Sequence, residues 1–427
     1  MTTNLPNRFE FLSDAWLDEA RKFLERECNN HKEQLGGRAF SMSERLTDAP
    51  PHLKFDGDVA SWSLQYDGES INVTREFNTS ADLTIEGDYQ AALAGAQFVG
   101  VLAPGAWEVM VREVATMFGR DAIRVKGALK DNATNLMGAL HDHLGRRTVE
   151  NPDLAHRAAR QGLSGKIREM EEKGYTVIER AISPEFADEV RRATLRALLP
   201  HQTFSMNWML YHGREFEQLI QNPLLMTLID ASLGRGAVIA SFSCIKKGPG
   251  PGVIPMHTDY AHVPEPYPEF SLTGVGVWAL EDWRIESGPT YLVPGSHRLR
   301  RPPRPGECND GAVPIEMPKG SVVYFTQGVW HGQGDRTEGG DRVTLHAHFN
   351  RGILRSLEPK KTDVQMLHRN SPRLGEMLGE DDWFDKMSAA GRDHLRFAYM
   401  QQLLAYTDKQ KRVILAGAGA PNELQRS

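Results

Sequence analysis

The chain has 427 residues, 40% of them hydrophobic and 25% charged, which is the usual balance of a folded globular protein with room for two domains. A formal net charge of −6 argues against a nucleic-acid-binding protein, because such proteins present a basic surface. The chain contains only three cysteines, no signal-peptide pattern and no apolar run near the roughly 20 residues that span a bilayer. We therefore expect a cytoplasmic protein without disulfides or membrane helices.

The first 145 residues alternate between helical and strand patterns. The stretch SDAWLDEARKFLERE (13–27) has apolar residues at helical spacing behind a Ser-Asp pair that can cap the helix. ASWSLQYDGESINVT (60–74) predicts two strands around an Asp67-Gly68 hairpin turn. Strand-then-helix patterns follow at 81–96 and 122–144. These patterns predict an α+β domain.

A polar stretch over 145–162 separates this region from the rest of the chain. We place the first domain at 1–150, a linker at 151–162 and a second domain at 163–427. From 235 to 352, short apolar runs lie between glycines and prolines, a pattern typical of a β-barrel or jelly roll. A C-terminal helical extension is predicted from about residue 353, most clearly over 392–406.

One motif of the second domain suggests a metal site. In MHTDY (256–260), His257 and Asp259 are two positions apart, so on a strand both side chains reach the same side. The pair alone is common by chance. After the apolar strand at 322–325, however, His331 follows in a glycine-rich turn. Two imidazoles and one carboxylate form the ligand set of non-haem Fe(II) oxygenases, which leaves positions open for a chelating cosubstrate and dioxygen.

The strand RVTLHAHF (342–349) adds polar side chains to this region. Arg342, Thr344, His346 and His348 alternate with apolar residues and are predicted to line a polar interior. An arginine in such an interior binds a carboxylate well, although a structural ion pair with a protein carboxylate is equally compatible with the pattern. His346 and His348 are rivals of His331 as ligands. We predict instead that they surround the ligands, face substrate or lie in the core.

Residues 163–352 resemble the phytanoyl-CoA dioxygenase family of Fe(II)- and 2-oxoglutarate-dependent oxygenases. The stretches that carry the resemblance are GYTVIERAISPEFADEVRRA, MHTDYAHV, VGVWALEDWRIESGPTYLVPGSH and WHGQGDRTEGGDR. The resemblance implies that His257, Asp259 and His331 bind Fe(II), that Arg342 binds the far carboxylate of 2-oxoglutarate, and that Trp278 flanks this cosubstrate. The predicted cosubstrate site is completed by Thr258, Gln333 and Thr344.

The resemblance implies a double-stranded β-helix fold and hydroxylation of an unactivated C–H bond, with release of succinate and CO2. Desaturation, cyclisation and epoxidation use the same ligands. Gln333 and Arg336 depart from the Ser and Asn that are common in the family. Asp259 is present where iron halogenases of similar build have a small residue, so halogenation is disfavoured. The expected partner is a small molecule, either hydrophobic, an acyl thioester or a natural-product intermediate, and a homo-oligomer is compatible with the sequence.

The first 150 residues resemble the sterol carrier protein 2 family, on the stretches at 81–96 and 123–144. This resemblance implies a cavity for an acyl chain or a sterol. A packed accessory domain for dimerisation or shielding is the alternative. For the whole protein, two further functions remain: a lipid carrier with an inactive oxygenase-like domain, and a non-oxidative cupin-type enzyme with Zn(II) or Mn(II).

The sequence leaves the roles of two basic stretches undecided. The loop HRLRRPPRPGE (297–307) contains four arginines, which either clamp a substrate anion or are merely solvated. KKGPGPG (246–252) precedes the H-x-D motif, and Lys246 or Lys247 could point inward toward a cosubstrate.

Overall fold

The computed structural model of the chain describes residues 9–54, 57–98, 106–119, 121–129, 132–145, 147–149, 154–260, 262–307, 311–326, 328–357, 363–379, 387–388, 391–392, 411–412 and 414–416. The chain divides into two compact units, Met1–Pro152 with Lys361–Gly375 and Asp153–Lys360 with Glu376–Ser427. Apart from Arg392, the helix predicted over 392–406 lies outside the described residues. Within the described part of the chain, no helix is both long and apolar enough to cross a membrane.

The first unit contains a five-stranded sheet and several helices. Its strands are β1 (Phe9–Glu10), β2 (Phe40–Thr47), β3 (Val59–Tyr66), β4 (Ile71–Thr74), β5 (Leu83–Asp88), β6 (Ile123–Gly127) and β7 (Thr148–Val149). Its helices are α1 (Asp14–Asn30), α2 (Lys32–Leu35), α3 (Tyr89–Ala96), α4 (Ala106–Phe118) and α5 (Asn132–Gly145). The sheet order is β4-β3-β2-β5-β6, with only β2 and β5 parallel. Helices and strands occur where the sequence predicts them, while the resemblance to the sterol carrier protein 2 family stays a prediction.

Helix α1 begins as its sequence predicts. The Ser13 side chain accepts a hydrogen bond from the Trp16 backbone amide at 3.2 Å, which satisfies one of the unpaired amides of the first turn. The apolar face is buried, with Trp16, Leu17, Ala20, Phe23 and Leu24 all in the core of this unit. Trp16 packs edge-on against Trp62 of β3, with ring centroids 5.3 Å apart. The helical spacing in the sequence therefore identified the buried face of α1 correctly.

The turn between β3 and β4 depends on Asp67 and Gly68. One carboxylate oxygen of Asp67 accepts hydrogen bonds from the Glu69 and Ser70 amides, both at 2.8 Å. Gly68 has φ of +104°, and a Cβ there would lie 2.6 Å from the Gly37 carbonyl oxygen. Only glycine fits this turn without displacing the neighbouring backbone.

An acidic side chain lies on the core face of β2. Glu44 is 7% exposed and lies on the same face of the strand as the buried residues Met42 and Leu46. The Trp62 indole donates to its carboxylate at 2.6 Å. Burial raises the pKa of Glu44 to about 7, although the Trp62 hydrogen bond acts in the opposite direction. Glu44 is therefore more easily protonated in the folded chain than in the unfolded one.

We expect Glu44→Gln to stabilise the protein at alkaline pH. Because the folded-state pKa of Glu44 lies above its ordinary value of 4.5, the unfavourable charge is absent at pH 4 and complete above pH 7. Glutamine can still accept the Trp62 hydrogen bond. The free energy of unfolding from denaturant titration should rise by about 2–3 kcal/mol at pH 8.5 and hardly change at pH 4. The control is Glu25→Gln, which changes an exposed glutamate. An equal rise in the free energy of unfolding of Glu44→Gln at both pH values would contradict the raised pKa of Glu44.

The second unit is built around two antiparallel sheets. Its strands are β8 (Tyr175–Ile178), β9 (Ser205–Met206), β10 (Val238–Lys247), β11 (Thr273–Ala279), β12 (Thr290–Leu292), β13 (Val313–Pro314), β14 (Val322–Thr326), β15 (His331–Gln333) and β16 (Arg342–Asn350). Its helices are α6 (Leu154–Arg160), α7 (Ser164–Lys173), α8 (Pro184–Leu198), α9 (Arg214–Ile220) and α10 (Pro223–Leu233). Of the later elements, β17 (Met387–Ser388) and β18 (Gly391–Arg392) belong to this unit, whereas α11 (Val364–His368) and most of α12 (Pro372–Met377) belong to the first unit.

The large sheet has the order β8-β14-β11-β16-β10-β9, and the small sheet has the order β13-β12-β15. Val277 and Phe325 of the large sheet share one apolar cluster with Leu292 of the small sheet. The core of the unit therefore lies between the sheets, as in a jelly roll. We call the face of the large sheet that meets this core its inner face. The predicted β architecture of this region is confirmed.

Part of the predicted linker is ordered structure. Residues 154–160 form α6, in which Arg157 and Ala158 are buried. The guanidinium of Arg157 pairs with Asp230 of α10 at 2.8 Å. The polar composition that suggested a linker over 151–162 thus includes an arginine whose charge is neutralised inside the unit, which composition alone does not reveal.

Candidate metal centre

The three predicted iron ligands lie together. One ligand atom each from His257, Asp259 and His331 can be chosen so that all three lie within 4.8 Å of one another. The Nε2 atom of His257 is 3.4 Å from one oxygen of Asp259, and the Nε2 atom of His331 is 3.6 Å from the other. Three donors at this spacing can share a single ion.

The backbone that holds the two histidines differs from the prediction. His257 and Asp259 do not lie on a regular strand, and His331 is not in a turn but begins β15. His257 and His331 form an isolated antiparallel bridge, in which their backbone amides and carbonyls exchange two hydrogen bonds of 2.8 and 2.9 Å. This exchange brings residues 74 positions apart into direct register and sets the two imidazole rings 4.2 Å apart, centroid to centroid. Local sequence could not reveal it, because the pairing partner is remote.

Hydrogen bonds orient both imidazoles for metal binding. The Nδ1 atom of His257 lies 2.8 Å from the Pro255 carbonyl, and the Nδ1 atom of His331 lies 3.0 Å from the Val329 carbonyl. Each Nδ1 must carry a proton to make this bond, so Nε2 is the atom of each ring that would coordinate an ion at the shared site. The same arrangement, in which a carbonyl accepts from the second ring nitrogen, is common among metal-binding histidines.

The electrostatics of the site favour a bound cation. Burial raises the pKa of Asp259, but the hydrogen bond from His257 and the nearby His331 and His348 outweigh this effect and hold that pKa at about 2. Burial lowers the pKa of His331, so its ring stays neutral. One carboxylate oxygen of Asp259, Oδ2, is buried without a hydrogen-bond partner. The hydrogen bond between His257 and Asp259 also raises the pKa of His257, so a proton on its Nε2 would be released when a metal binds. An anionic oxygen without a hydrogen-bond partner among the described residues, beside two imidazole nitrogens, fits a divalent metal such as Fe(II).

Arg342, at the start of β16, is a buried cation. It is 3% exposed, and none of the described residues places a carboxylate within ion-pair distance of it. One guanidinium nitrogen donates to the Gly288 carbonyl, while Nε has no partner. Burial lowers the pKa of Arg342 to about 10, with Glu281 and Arg336 acting in opposite directions. A buried guanidinium with unused donors is a ready site for a carboxylate ligand.

The ion pair that could have explained Arg342 belongs to Arg336 instead. Arg336 lies 3.4 Å from Glu281 and donates to the backbone carbonyls of Ser287, Gly339 and Gly340. This arginine, a departure from the family pattern, therefore fixes the loop before β16. Its donors are used by the protein, unlike those of Arg342.

A second cation lies beside Arg342. Lys247 ends β10 and is directly opposite Arg342 in the register of the two strands. It is 7% exposed, and its ammonium group donates to the Pro251 carbonyl at 2.7 Å. Burial lowers the pKa of Lys247, and the charge of Arg342 lowers it further. Lys246, by contrast, points to the other face and lies 3.5 Å from Asp341.

Trp278 and Arg342 lie on opposite faces of the large sheet. On β11, Trp278 is opposite Leu345 and Val322, whereas its neighbour Val277 faces the core between the sheets. Because side chains alternate along a strand, Trp278 must lie on the outer face of the sheet. The tryptophan near Arg342 is Trp283, whose ring centroid is 5.0 Å from the guanidinium carbon. No local pattern in the sequence marked Trp283, and the role of Trp278 beside a cosubstrate stays a prediction.

Two other predicted cosubstrate residues mainly hold the backbone. The hydroxyl of Thr258 is 3.0 Å from the Tyr267 hydroxyl, and Thr258 is buried there, between the two ligands of the H-x-D motif. The side-chain oxygen of Gln333 accepts from the Val253 amide at 3.1 Å. Both contacts fix the segment around His257, so their effect on the site is indirect.

Thr344, His346 and His348 lie on the inner face of β16, as predicted. The Thr344 hydroxyl is 3.0 Å from Nε2 of His346, and the rings of His346 and His348 stack with centroids 6.3 Å apart. Burial lowers the pKa of His346 to about 3, so its ring is neutral. Neither histidine belongs to the group formed by the ligands. They surround the candidate centre instead.

The arginine-rich loop is largely paired within the protein. Arg301 makes a two-point ion pair with Glu307 at 2.7 and 3.0 Å, and Arg300 lies 3.1 Å from Glu269. Arg298 donates to the Glu171 carbonyl. These contacts favour the structural interpretation of the loop over an anion clamp.

Comparison with known proteins gives a family for the segment that contains these residues. Residues 170–344, less than half of the chain, match the profile of the family described as phytanoyl-CoA dioxygenase (PhyH). Two curated relatives are 29% identical over 101 residues: the uncharacterized protein Mb1539 of Mycobacterium bovis and the uncharacterized protein Rv1501 of Mycobacterium tuberculosis. These matches cover 23% of this chain, which spans only 36% of the length of either relative.

Among solved structures, this chain is partly similar to HygX from Streptomyces hygroscopicus with nickel and 2-oxoglutarate bound. The identity is 12% and the TM-score 0.38, over 43% of this chain and 85% of HygX. For EvdMO1 the identity is 21% and the TM-score 0.38, over 44% of this chain and 49% of that protein. The profile match at residues 170–344, which contain all three candidate ligands and Arg342, supports an oxygenase of the Fe(II)/2-oxoglutarate type.

Proposed function

We propose that the chain is an Fe(II)- and 2-oxoglutarate-dependent dioxygenase that hydroxylates an unactivated C–H bond of a small molecule. In this reaction one oxygen atom of O2 enters the product and the other enters succinate, while the cosubstrate loses CO2. The observation that carries the proposal is the combination of a three-donor metal group with Arg342, a buried cation that has no acidic partner in the described part of the chain.

Each residue has a distinct task in this proposal. His257, Asp259 and His331 would hold the iron, which supplies the activation of dioxygen when it is bound. Arg342 would bind the far carboxylate of 2-oxoglutarate and so orient its 2-oxo acid end. Trp283 lies against the guanidinium and helps to keep it in place. Without a dicarboxylate partner, the buried charge of Arg342 is compensated only in part, by the Gly288 carbonyl, the Trp283 ring and the charge of Glu281.

Lys247 would add a second positive charge to the carboxylate site. Two cations directly opposite each other repel, and burial strengthens that repulsion, so the pair is best explained by an anion that binds between or beside them. We expect Lys247→Met to weaken 2-oxoglutarate binding about tenfold, which corresponds to the loss of one charge-assisted hydrogen bond.

Lys246→Met is the matched control for Lys247→Met. Both changes remove one lysine charge from neighbouring positions, but Lys246 pairs with Asp341 on the other face of the strand. Binding can be followed by titration of the iron-loaded protein with 2-oxoglutarate under anaerobic conditions. Equal effects of the two changes would show that only net charge matters and that Lys247 does not bind the cosubstrate.

The function as a whole can be tested without a known substrate. Fe(II) and then 2-oxoglutarate are added to the purified protein without oxygen, and the visible charge-transfer band of the chelate is recorded. We expect a band that depends on both additions, and 2-oxoglutarate consumption once oxygen is admitted. Folded, iron-loaded protein that gives no band would favour the carrier or the non-oxidative metalloenzyme instead.

A further inference from the structure

One strip of the inner face of the large sheet remains accessible. On β10 and β16, Ser243 is opposite His346 and Ser241 is opposite His348. These four side chains, together with Ile245, retain partial exposure, whereas Phe242 and Cys244, which alternate with them on the outer face of β10, are buried. We call Ser241, Ser243, His346 and His348 the polar strip. Its partial exposure leaves these side chains within reach of a small molecule.

The polar strip lies close to the candidate metal centre. The rest of the inner face, on β11 and β14, is closed by the apolar core, in which Val275, Val277 and Phe325 are at most 2% exposed. The charge of Asp259 acts on both His346 and His348, and the His331 ring packs 4.7 Å from that of Phe325. The accessible half of the face is thus the part of the sheet from which a substrate can reach the ligands.

The polar strip has hydrogen-bonding capacity that the protein does not use. Within the described part of the chain, the hydroxyls of Ser241 and Ser243 and the Nδ1 atom of His346 have no partner, because His346 bonds Thr344 through Nε2. Opposite residues on neighbouring strands are about 5 Å apart, and alternate residues along a strand about 7 Å. These groups therefore cover an area close to that of one six-membered ring with its substituents.

Resting on the proposed function, we propose that the substrate is a compact polyhydroxylated molecule, of the sugar or cyclitol type, that binds the polar strip through its hydroxyl groups. An acyl chain against the polar strip would remove water from the serine hydroxyls and the imidazole without replacing its hydrogen bonds. Each such loss costs about 1–3 kcal/mol. A hydroxyl-bearing ring can satisfy these groups and hold a C–H bond toward the metal ligands.

The test compares two classes of probe on the iron-loaded protein with saturating 2-oxoglutarate. The polar probes are myo-inositol and methyl α-D-glucopyranoside, and the apolar probes are octanoate and octanoyl-CoA. Oxygen is admitted, and the rate of 2-oxoglutarate consumption is measured with each probe. We expect the polar probes to accelerate consumption and the apolar probes to leave it unchanged.

Variants of the strip then locate the effect. Ser243→Ala and His346→Leu should each raise the probe concentration for half-maximal acceleration about fivefold, the loss expected for one hydrogen bond. The chelate band should be unchanged, and Ser80→Ala, an exposed serine of the first unit, should have no effect. If the band forms but only apolar probes accelerate consumption, or no probe does, or the variants respond like the parent, the polar-substrate inference is wrong. Loss of the band in the unmodified protein would instead refute the proposed function.

Discussion

Asp259→Ala is expected to abolish iron retention and all 2-oxoglutarate consumption. Asp259 supplies the only anionic donor of the group, and one of its oxygens is buried without a hydrogen-bond partner. Loss of a residue that merely supports a metal ligand already lowers affinity 10–100-fold, so removal of this ligand should lower it at least about 100-fold. Metal content after desalting and anaerobic Fe(II) titration measure the effect.

The control is Glu269→Gln, which removes an exposed carboxylate in the loop after the H-x-D motif. Glu269 pairs with Arg300 and has no contact with the ligands. It should leave iron binding unchanged. Thermal unfolding of the metal-free proteins separates folding from binding, because Asp259→Ala removes a metal ligand and not a core contact. Full iron retention by folded Asp259→Ala protein would refute the proposed centre.

Arg342→Ala is expected to weaken 2-oxoglutarate binding without loss of stability. Truncation of one partner of a buried, hydrogen-bonded charge pair costs about 2–5 kcal/mol, so the dissociation constant should rise about 30-fold or more. Fe(II) binding should persist, because Arg342 is not among the grouped ligands. The chelate band should therefore reappear at high cosubstrate concentration.

Stability distinguishes this role from a structural one. Since Arg342 has no acidic partner, its removal takes a costly buried charge out of the cosubstrate-free protein. The melting temperature should stay constant or rise, and Arg342→Lys should recover part of the affinity because it keeps the charge but not the two-point geometry. Arg300→Ala, in the exposed loop, serves as the control. A marked fall in melting temperature with unchanged cosubstrate affinity would show that Arg342 is structural.

Local patterns in the sequence were sufficient for most elements. The capped helix α1, the hairpin of β3 and β4, and the strand β16 occur where periodicity and turn residues predict them. Each of these features depends on neighbours in the chain: the Ser13 cap, the Asp67-Gly68 turn and the alternation that begins at Arg342. A polar pattern was less reliable at 154–160, where pairing of Arg157 with Asp230 buries a charge.

The type of metal site was also readable from the sequence, because His257, Asp259 and His331 are the residue types that the chemistry requires. Which side chains complete the site depended on strand register. Alternation directs Trp278 to the outer face and Lys247 to the side of Arg342, while a loop brings Trp283 to the guanidinium. A shift of the strand register by one residue would move Trp278 and Lys247 to the opposite faces of the sheet.

The sequence by itself determined the residue types of the centre and most of the helices and strands, because both follow from chemistry and from short-range periodicity. Only the tertiary structure decided how those residues meet. The exchange of backbone hydrogen bonds between His257 and His331, the missing acidic partner of Arg342 and the accessible polar strip all join segments that are far apart in the chain. Such contacts arise from sheet register and burial, which local sequence does not encode.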